Sequence, residues 1–347
     1  MSVLELSNLN VRYKDTEVIK RLNLQIAPGE IMALFGPSGG GKSTVLKAIA
    51  GLLDEVEGVI KIGEHLVFDE KINVPTEKRH AGLIFQDYAL FPHLTVSENI
   101  AFGLSKLSKA ERKSRVEHML QLIKMSELSE RYPHELSGGQ QQRIAIVRAL
   151  ACEPTILLFD EAFSNIDPQF RFELIKDIRE LLKAQNIAGL FVTHNQDEAF
   201  AFCDRIAVLN NGKIEQVNNA EHLFNYPASR FVAEFLGEGI WLKTQVSGDK
   251  RLQSSFGELI YEGMEDLSNK VGEDADVYLR PHHLTLEHTS QSEHVVQQER
   301  FVGECYESLL EINGQVIKVK TTESFLNQPV AVKVDTKILN VFMPSAQ

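Results

Sequence analysis

The sequence predicts an α/β protein: a mostly parallel sheet with helices on both faces, interrupted by a helical insert and followed by a small all-β domain. Three observations lead there. Apolar runs of strand length alternate with helix-like segments as far as about residue 235. Those runs are continuous rather than alternating, as strands covered on both faces are. Beyond Gly237-Glu238-Gly239 the pattern switches to short alternating strands separated by turn residues.

Taken in order, Ile31-Met32-Ala33-Leu34-Phe35 is a buried strand that runs into a Gly-rich loop and then a helix from Ser43 to Leu53. A helical insert spans about residues 87–155. Ser108 is placed to cap one of its helices, and Arg143 to Leu150 continues another. Ile156 to Phe159 is a second buried strand ending at Asp160 and Glu161. Gly189 to Thr193 is a third, ending at His194. In parallel sheets functional groups gather at the carboxyl ends of strands, and all three runs end in residues of that kind. The α/β core is assigned to residues 1–239 and a β-rich, barrel-like (OB-like) domain to 240–347. In the latter, Val316 to Lys320 follows an Asn313-Gly314 hairpin turn and Val330 to Val334 supplies a further strand.

Composition narrows the function classes. Of 347 residues, 43% are hydrophobic and 24% charged, ordinary for a globular protein. The apolar runs fall well short of the ~18 residues of a membrane-spanning helix, and the N-terminus lacks the pattern of a secretion signal. Any membrane link is therefore expected to pass through a partner. Cys152, Cys203 and Cys305 are scattered, which suggests neither a disulfide framework nor a Cys-based metal site. The formal net charge of -12 argues against nucleic acid as a partner. The tail is acidic too, with 17 acids against 10 bases from Leu236 to Gln347.

The chemistry sits in three motifs. Gly36-Pro37-Ser38-Gly39-Gly40-Gly41-Lys42-Ser43-Thr44 satisfies G-x-x-x-x-G-K-[ST] between a strand and a helix. Glycines let backbone N–H groups curl around phosphates, and the helix N-terminus adds a positive dipole. Lys42 can reach the β- and γ-phosphates of ATP, and the Ser43 hydroxyl can ligate Mg²⁺. Asp160 and Glu161 would be a solvated strand end if they stood alone. Beside a phosphate loop, Asp160 is read as orienting Mg²⁺ and Glu161 as polarising the attacking water. Leu136-Ser137-Gly138-Gly139-Gln140 opens a helix with a hydroxyl and bare N–H groups, a second anion site. One ATP does not need two such sites from one chain, so a head-to-tail homodimer is expected, each phosphate loop facing the partner's Ser137 segment.

These three motifs, in the chain order Gly36–Thr44, Leu136–Gln140 and Asp160-Glu161, resemble those of the ATP-binding subunits of ABC transporters. The resemblance covers essentially the whole chain and implies further roles. Tyr13 matches the aromatic residue that stacks on adenine. Gln86 matches the glutamine that contacts Mg²⁺ and water and relays their state to the permease. His194 matches the histidine that contacts the γ-phosphate, and Asp167 the cross-dimer contact. The apolar segment Asp87 to Val96 matches the groove that receives a cytoplasmic helix of the permease. Two departures stand out: Ala162 where the family has Pro, and Ser164-Asn165-Ile166-Asp167 where it has Ser-Ala-Leu-Asp.

A core with a β-rich tail is similar to importers of the sugar, polyamine, thiamine, sulfate and ferric-iron group. Arg280-Pro281-His282 stands at that group's Arg-Pro-Glu. The short tail and the segment Phe235 to Ile240 look most like the ferric-iron import ATPases. The resemblance thus implies an ATPase at the cytoplasmic face of the inner membrane, peripheral, working with permease subunits and indirectly with a solute-binding protein. His282, His283, His288 and His294 lack regularly spaced carboxylate or Cys co-ligands and are read as non-metal residues. Alternatives are an importer of another solute, a soluble ABC ATPase acting on ribosomes or DNA, and an ATP sensor that does not turn over. A single core, no heptad run and an acidic balance oppose the second; Glu161 and His194 oppose the third.

Overall fold

A computed structural model describes residues 2–14, 16–262, 266–292, 294–312, 314–336 and 338–343. They divide into two compact units, Met1–Ala220 and Glu221–Gln347. In chain order the first contains β1 (Leu4–Tyr13), β2 (Thr16–Ile26), β3 (Ile31–Phe35), α1 (Lys42–Ala50), β4 (Val56–Ile62), β5 (His65–Phe68) and β6 (Ala81–Ile84). Next come α2 (Val96–Ala101), α3 (Lys109–Leu122), α4 (Gly138–Ala151), β7 (Ile156–Asp160) and α5 (Pro168–Ala184). The unit ends with β8 (Ala188–Thr193), α6 (Gln196–Phe202), β9 (Arg205–Asn210) and β10 (Lys213–Asn218).

The central sheet has the order β10-β9-β3-β8-β7-β6 and is parallel except at β10. The three strands expected from their apolar runs are therefore neighbours, β3-β8-β7. Alternation along β7 sends Leu157 and Phe159 to one face and Ile156 and Leu158 to the other. The first face packs against the helical insert, α2 to α4. Phe159, Phe163, Phe191 and Phe202 form an aromatic cluster on that face with centroids 5.2–6.4 Å apart. The other face packs against α1 and a second, antiparallel sheet, β2-β1-β4-β5, which the apolar runs do not separate from the first. Capping boxes start α2 (Thr95 with Glu98) and α3 (Ser108 with Glu111).

Asp204 fastens the far end of β3. It accepts from the Ile31 N–H (2.8 Å), from Arg179 Nη2 (2.7 Å) and from Lys183 Nζ. Burial alone would raise its pKa; the Ile31 amide, Lys183 and Arg179 outweigh it and hold the carboxyl below its ordinary value.

The division between units falls at Ala220/Glu221, earlier than the 239/240 boundary expected from composition. Its physical reason lies in α7 (Ala220–Asn225) and α8 (Arg230–Phe235), which are helical yet pack with the β-rich tail. Arg280 is buried, donates to the Ala233 and Phe224 carbonyls (3.3 and 3.2 Å) and lies 3.8 Å from the Phe224 ring centroid. Trp241 Nε1 donates to Glu234 (2.6 Å), and Arg230 pairs with Asp276.

The tail's strands are β11 (Ile240–Gly248), β12 (Arg251–Ser254), β13 (Gly257–Ile260), β14 (Asp274–Leu279), β15 (Leu284–His288), β16 (Gln298–Phe301), β17 (Tyr306–Ile312), β18 (Gln315–Thr321), β19 (Val330–Val334) and β20 (Asn340–Phe342). They form three antiparallel sheets, β13-β12-β11-β14-β20, β15-β19 and β16-β17-β18, around one apolar cluster. Asn313 of the expected hairpin turn lies outside the described residues. The strands it joins pair antiparallel, with Ile312 opposite Gln315. Of the four tail histidines, His283 is buried, and burial pushes its pKa down to about 4.

Candidate functional site

The site grows from the carboxyl ends of β3, β7 and β8. β3 is wholly buried and delivers the chain into the loop Gly36–Gly41. Two of its glycines do steric work: a Cβ on Gly36 would stand 2.2 Å from the Leu209 carbonyl oxygen, and Gly41 has φ +96°. Gly41 caps α1 without a side-chain hydrogen bond, so the first amides of that helix face outward unclaimed by a local cap. Lys42 is buried, and its Nζ donates to the Gly36 and Pro37 carbonyls at 2.9 Å each. Burial lowers its pKa, while the carboxylates of Glu161 and Asp160 act in the opposite direction.

Ser43, the next residue, donates its hydroxyl to Asp160 Oδ1 at 2.7 Å. Two oxygens from positions 117 apart in sequence thus converge beside the loop. Among the described residues no cluster of three or more His, Cys, Asp or Glu is fit to hold a metal. The Ser43–Asp160 pair instead suits Mg²⁺ arriving with a nucleotide, since that ion is typically held by one or two protein oxygens plus phosphates and water.

Glu161 sits one residue past β7 with φ +49°, a left-handed conformation that a non-glycine residue adopts at a cost of roughly 1–3 kcal/mol. Its N–H is satisfied by the Val192 carbonyl (3.0 Å), and its Oε1 lies 3.2 Å from His194 Nδ1. Gln86 follows β6; its Nε2 donates to Ser164 Oγ (3.2 Å), and its backbone carbonyl accepts from Asn165 Nδ2 (3.0 Å). The Asn165 departure thus has a structural use: it ties the loop after β7 to the loop after β6. Tyr13 ends β1 and is 44% exposed, and Thr44 occupies the first turn of α1.

The remaining expected residues make local bonds. Ser137 caps α4 in a capping box: its Oγ accepts from the Gln140 N–H (3.4 Å), and Gln140 Oε1 accepts from the Ser137 N–H (2.9 Å). The spacing Ser-x-x-Gln was the signal for this box. Gly138 and Gly139 open the helix. Asp167 caps α5 by accepting from the Gln169 N–H (3.0 Å). A cavity of about 920 Å³ lies against α3, and none of the expected site residues lines it. A smaller one, about 250 Å³, borders Pro37, Ser38, Gly39 and Gly40. Composition and motif spacing missed Arg171, Thr193 and Glu198, which stand directly behind the site.

Comparison with known proteins settles the family. The ABC transporter family model matches residues 19–164, which hold the phosphate loop, the Ser137 segment and the Asp160-Glu161 pair. The sulfate/thiosulfate import ATP-binding protein CysA of Synechocystis sp. is 43% identical over 288 residues, 82% of this chain and 77% of that protein. The chain belongs to the import ATP-binding proteins of ABC transporters. The Fe(3+) ions import ATP-binding protein FbpC 2 of Haemophilus influenzae is 36% identical over 93% of this chain and 91% of its own length. For the spermidine/putrescine import ATP-binding protein PotA of Vibrio cholerae the figures are 38%, 90% and 84%. Among solved structures, CbiO1 of Clostridium perfringens, part of the ABC transporter complex CbiONQ, is similar at a TM-score of 0.59. It shares 30% identity over 64% of this chain and 90% of its own. A dimeric ATP-binding cassette in a post-hydrolysis state with ADP and Pi has a TM-score of 0.54. Its 31% identity extends over 62% of this chain and 98% of its own. This ABC import protein binds ATP and hydrolyses it.

Proposed function

We propose that the chain works as a head-to-tail homodimer that couples ATP binding and hydrolysis to ferric-iron uptake through a membrane permease. The observation that carries the ATP chemistry is the convergence of Lys42, Ser43, Asp160, Glu161 and His194 at the ends of three adjacent parallel strands. Glycine amides of the 36–41 loop and Lys42 hold the phosphates. Ser43 and Asp160 would hold Mg²⁺, which would supply charge neutralisation for the phosphates. Glu161 accepts the proton of the attacking water, His194 donates toward the γ-phosphate, and Gln86, held by Ser164 and Asn165, orients the water. Tyr13 offers an exposed ring to the adenine.

Dimerisation is supported by the Ser137 segment. Its cap is closed by its own Gln140, which leaves the Ser137 hydroxyl proton and the Gly138 and Gly139 amides for a group outside the chain. Asp167 stands beside that group in this reading. The permease contact is supported by exposed aromatic residues at the start of the helical insert: Phe85 and Phe102 are 39% and 59% exposed, and Phe91 packs on Phe102 with ring centroids 4.3 Å apart and planes tilted by 36°. In this reading the same surface carries a peripheral association with the cytoplasmic face; among the described residues no helix is long and apolar enough to cross a membrane. A solute-binding protein would act on the permease's other side.

For the solute, the ferric-iron reading rests on the Phe235 to Ile240 segment and on the reach of the iron relatives, 329 residues against 288 for the sulfate relative. The polyamine reading is favoured by a match of similar reach, 328 residues. Uptake of labelled Fe³⁺, sulfate and spermidine by cells lacking the chain separates these. Restoration of Fe³⁺ uptake alone by the wild-type chain, and not by Glu161→Gln, is expected. Restoration of sulfate or spermidine uptake instead overturns the iron assignment.

A further inference from the structure

Glu198 is a buried carboxylate, 2% exposed, four residues beyond His194, and the hydrolytic scheme above gives it no part. Its Oε2 accepts from Thr193 Oγ1 (2.9 Å), and Thr193 Oγ1 in turn accepts from the Asn195 N–H (3.0 Å). These two bonds bracket His194 on both sides. Glu198 Oε1 faces Arg171 Nη1 at 3.3 Å, with the Arg171 side chain 17% exposed. Arg171 Nη2 donates to the Ile166 carbonyl (2.9 Å) and, at longer range, to that of Ser164 (3.5 Å). That loop then reaches Gln86 through Ser164 Oγ and Asn165 Nδ2. Ser164 Oγ also donates to the carbonyl of Glu161 itself (2.9 Å).

One ion pair, with its carboxylate buried and its guanidinium partly so, therefore ties together the loops that follow β6, β7 and β8. We infer that Arg171 and Glu198 are positioning residues: their pair sets Glu161, His194 and Gln86 at one mutual spacing, and so sets the rate of hydrolysis without touching ATP. The inference rests on the hydrolytic roles proposed for those three residues. A carboxylate as buried as Glu198 is retained at a desolvation cost, which burial expresses by raising its pKa against the pull of Thr193 and Arg171. A buried pair of merely structural use is replaceable by apolar packing; a pair whose fork reaches two loop carbonyls as well as its carboxylate also fixes a geometry. Misplacement of reacting groups by about 1 Å can cost on the order of 10²-fold in rate.

Three full-length single variants and the Arg171→Lys/Glu198→Gln double variant test this. Arg171→Lys keeps the charge opposite Glu198, so the pair stays neutralised, but one ammonium cannot serve Glu198 and the Ile166 carbonyl in the fork geometry. Glu198→Gln keeps the shape and the Thr193 contact but loses the charge. Glu161→Gln serves as the reference. The measurements are kcat and KM for ATP hydrolysis, Kd for ATP and thermal midpoint. The expected result is a kcat lower by roughly 10–10²-fold in Arg171→Lys and Glu198→Gln, with ATP Kd within about twofold of wild type. The double variant should be no slower than the slower single one, since both break one link. Wild-type kcat in Arg171→Lys, with Glu161→Gln inactive, overturns the positioning role alone. Parallel losses of ATP affinity and thermal midpoint that account for the fall in kcat overturn it in favour of a purely structural pair. Turnover in Glu161→Gln removes instead the hydrolytic reading on which it rests.

Discussion

Replacing Glu161 by Gln isolates the chemical step, because the structure gives the amide almost everything except basicity. The side chain keeps its length and its contact with His194 Nδ1, 3.2 Å away. The backbone keeps its φ of +49°, so the local strain is the same before and after, and the thermal midpoint should move little. What is lost is the proton acceptor. Loss of a general base typically costs 10²–10⁴-fold, or about 3–5 kcal/mol in the barrier. ATP affinity should hold or rise, since a carboxylate near Lys42 also stands near the phosphates that Lys42 attracts, and neutralising it removes a repulsion. Steady-state phosphate release at saturating ATP gives the rate, and equilibrium binding of a fluorescent ATP analogue gives the affinity. The variant should bind nucleotide normally and turn over at least a hundredfold more slowly. Turnover within about threefold of wild type, far less than loss of a general base costs, would refute the assignment of Glu161 as base.

Two further outcomes probe the frame around the site. Gly36→Ala puts a methyl group 2.2 Å from the Leu209 carbonyl oxygen, a backbone atom that cannot rotate away, so ATP binding should be lost or the unit destabilised by about 1–3 kcal/mol; normal binding and an unchanged thermal midpoint would count against that packing. Asp204 has a pKa below its ordinary value, so its stabilisation is full at pH above that value and disappears as pH falls through the lowered one. Asp204→Asn should therefore cost about 1.5–3 kcal/mol near neutral pH and little in acid, as read from urea unfolding across pH.

The phosphate loop was legible because its needs are local: four glycines, a lysine and a hydroxyl in sequence, between a fully apolar strand and a helix. Asp160-Glu161 and His194 were legible for a related reason, since each ends an apolar run. The network behind them was not. Arg171 and Glu198 lie on two different helices, and an arginine and a glutamate at helix positions carry no mark that they will be buried facing each other. The 239/240 boundary follows the onset of alternating strands, and α7 and α8 ahead of it carry helical patterns like those of the core. What assigns them to the tail is a set of pairings, Arg280 with Ala233, Trp241 with Glu234 and Arg230 with Asp276, that only the fold brings together. Asn165 was visible as an oddity, but its use depended on where Gln86 ended up.

The cap of α4 has a consequence for what the Ser137 segment can recognise. A hydroxyl has one proton and two lone pairs, and here one lone pair is turned inward to the Gln140 amide. With the Gln140 carbonyl also turned back on the Ser137 amide, the surface left at this helix start is proton-bearing: the serine O–H together with the Gly138 and Gly139 N–H groups. Such a surface sorts visitors by polarity. It welcomes an acceptor-rich group such as a phosphate and offers little to a bare cation or an amine. The same two bonds that start the helix also decide which sign of charge may approach it.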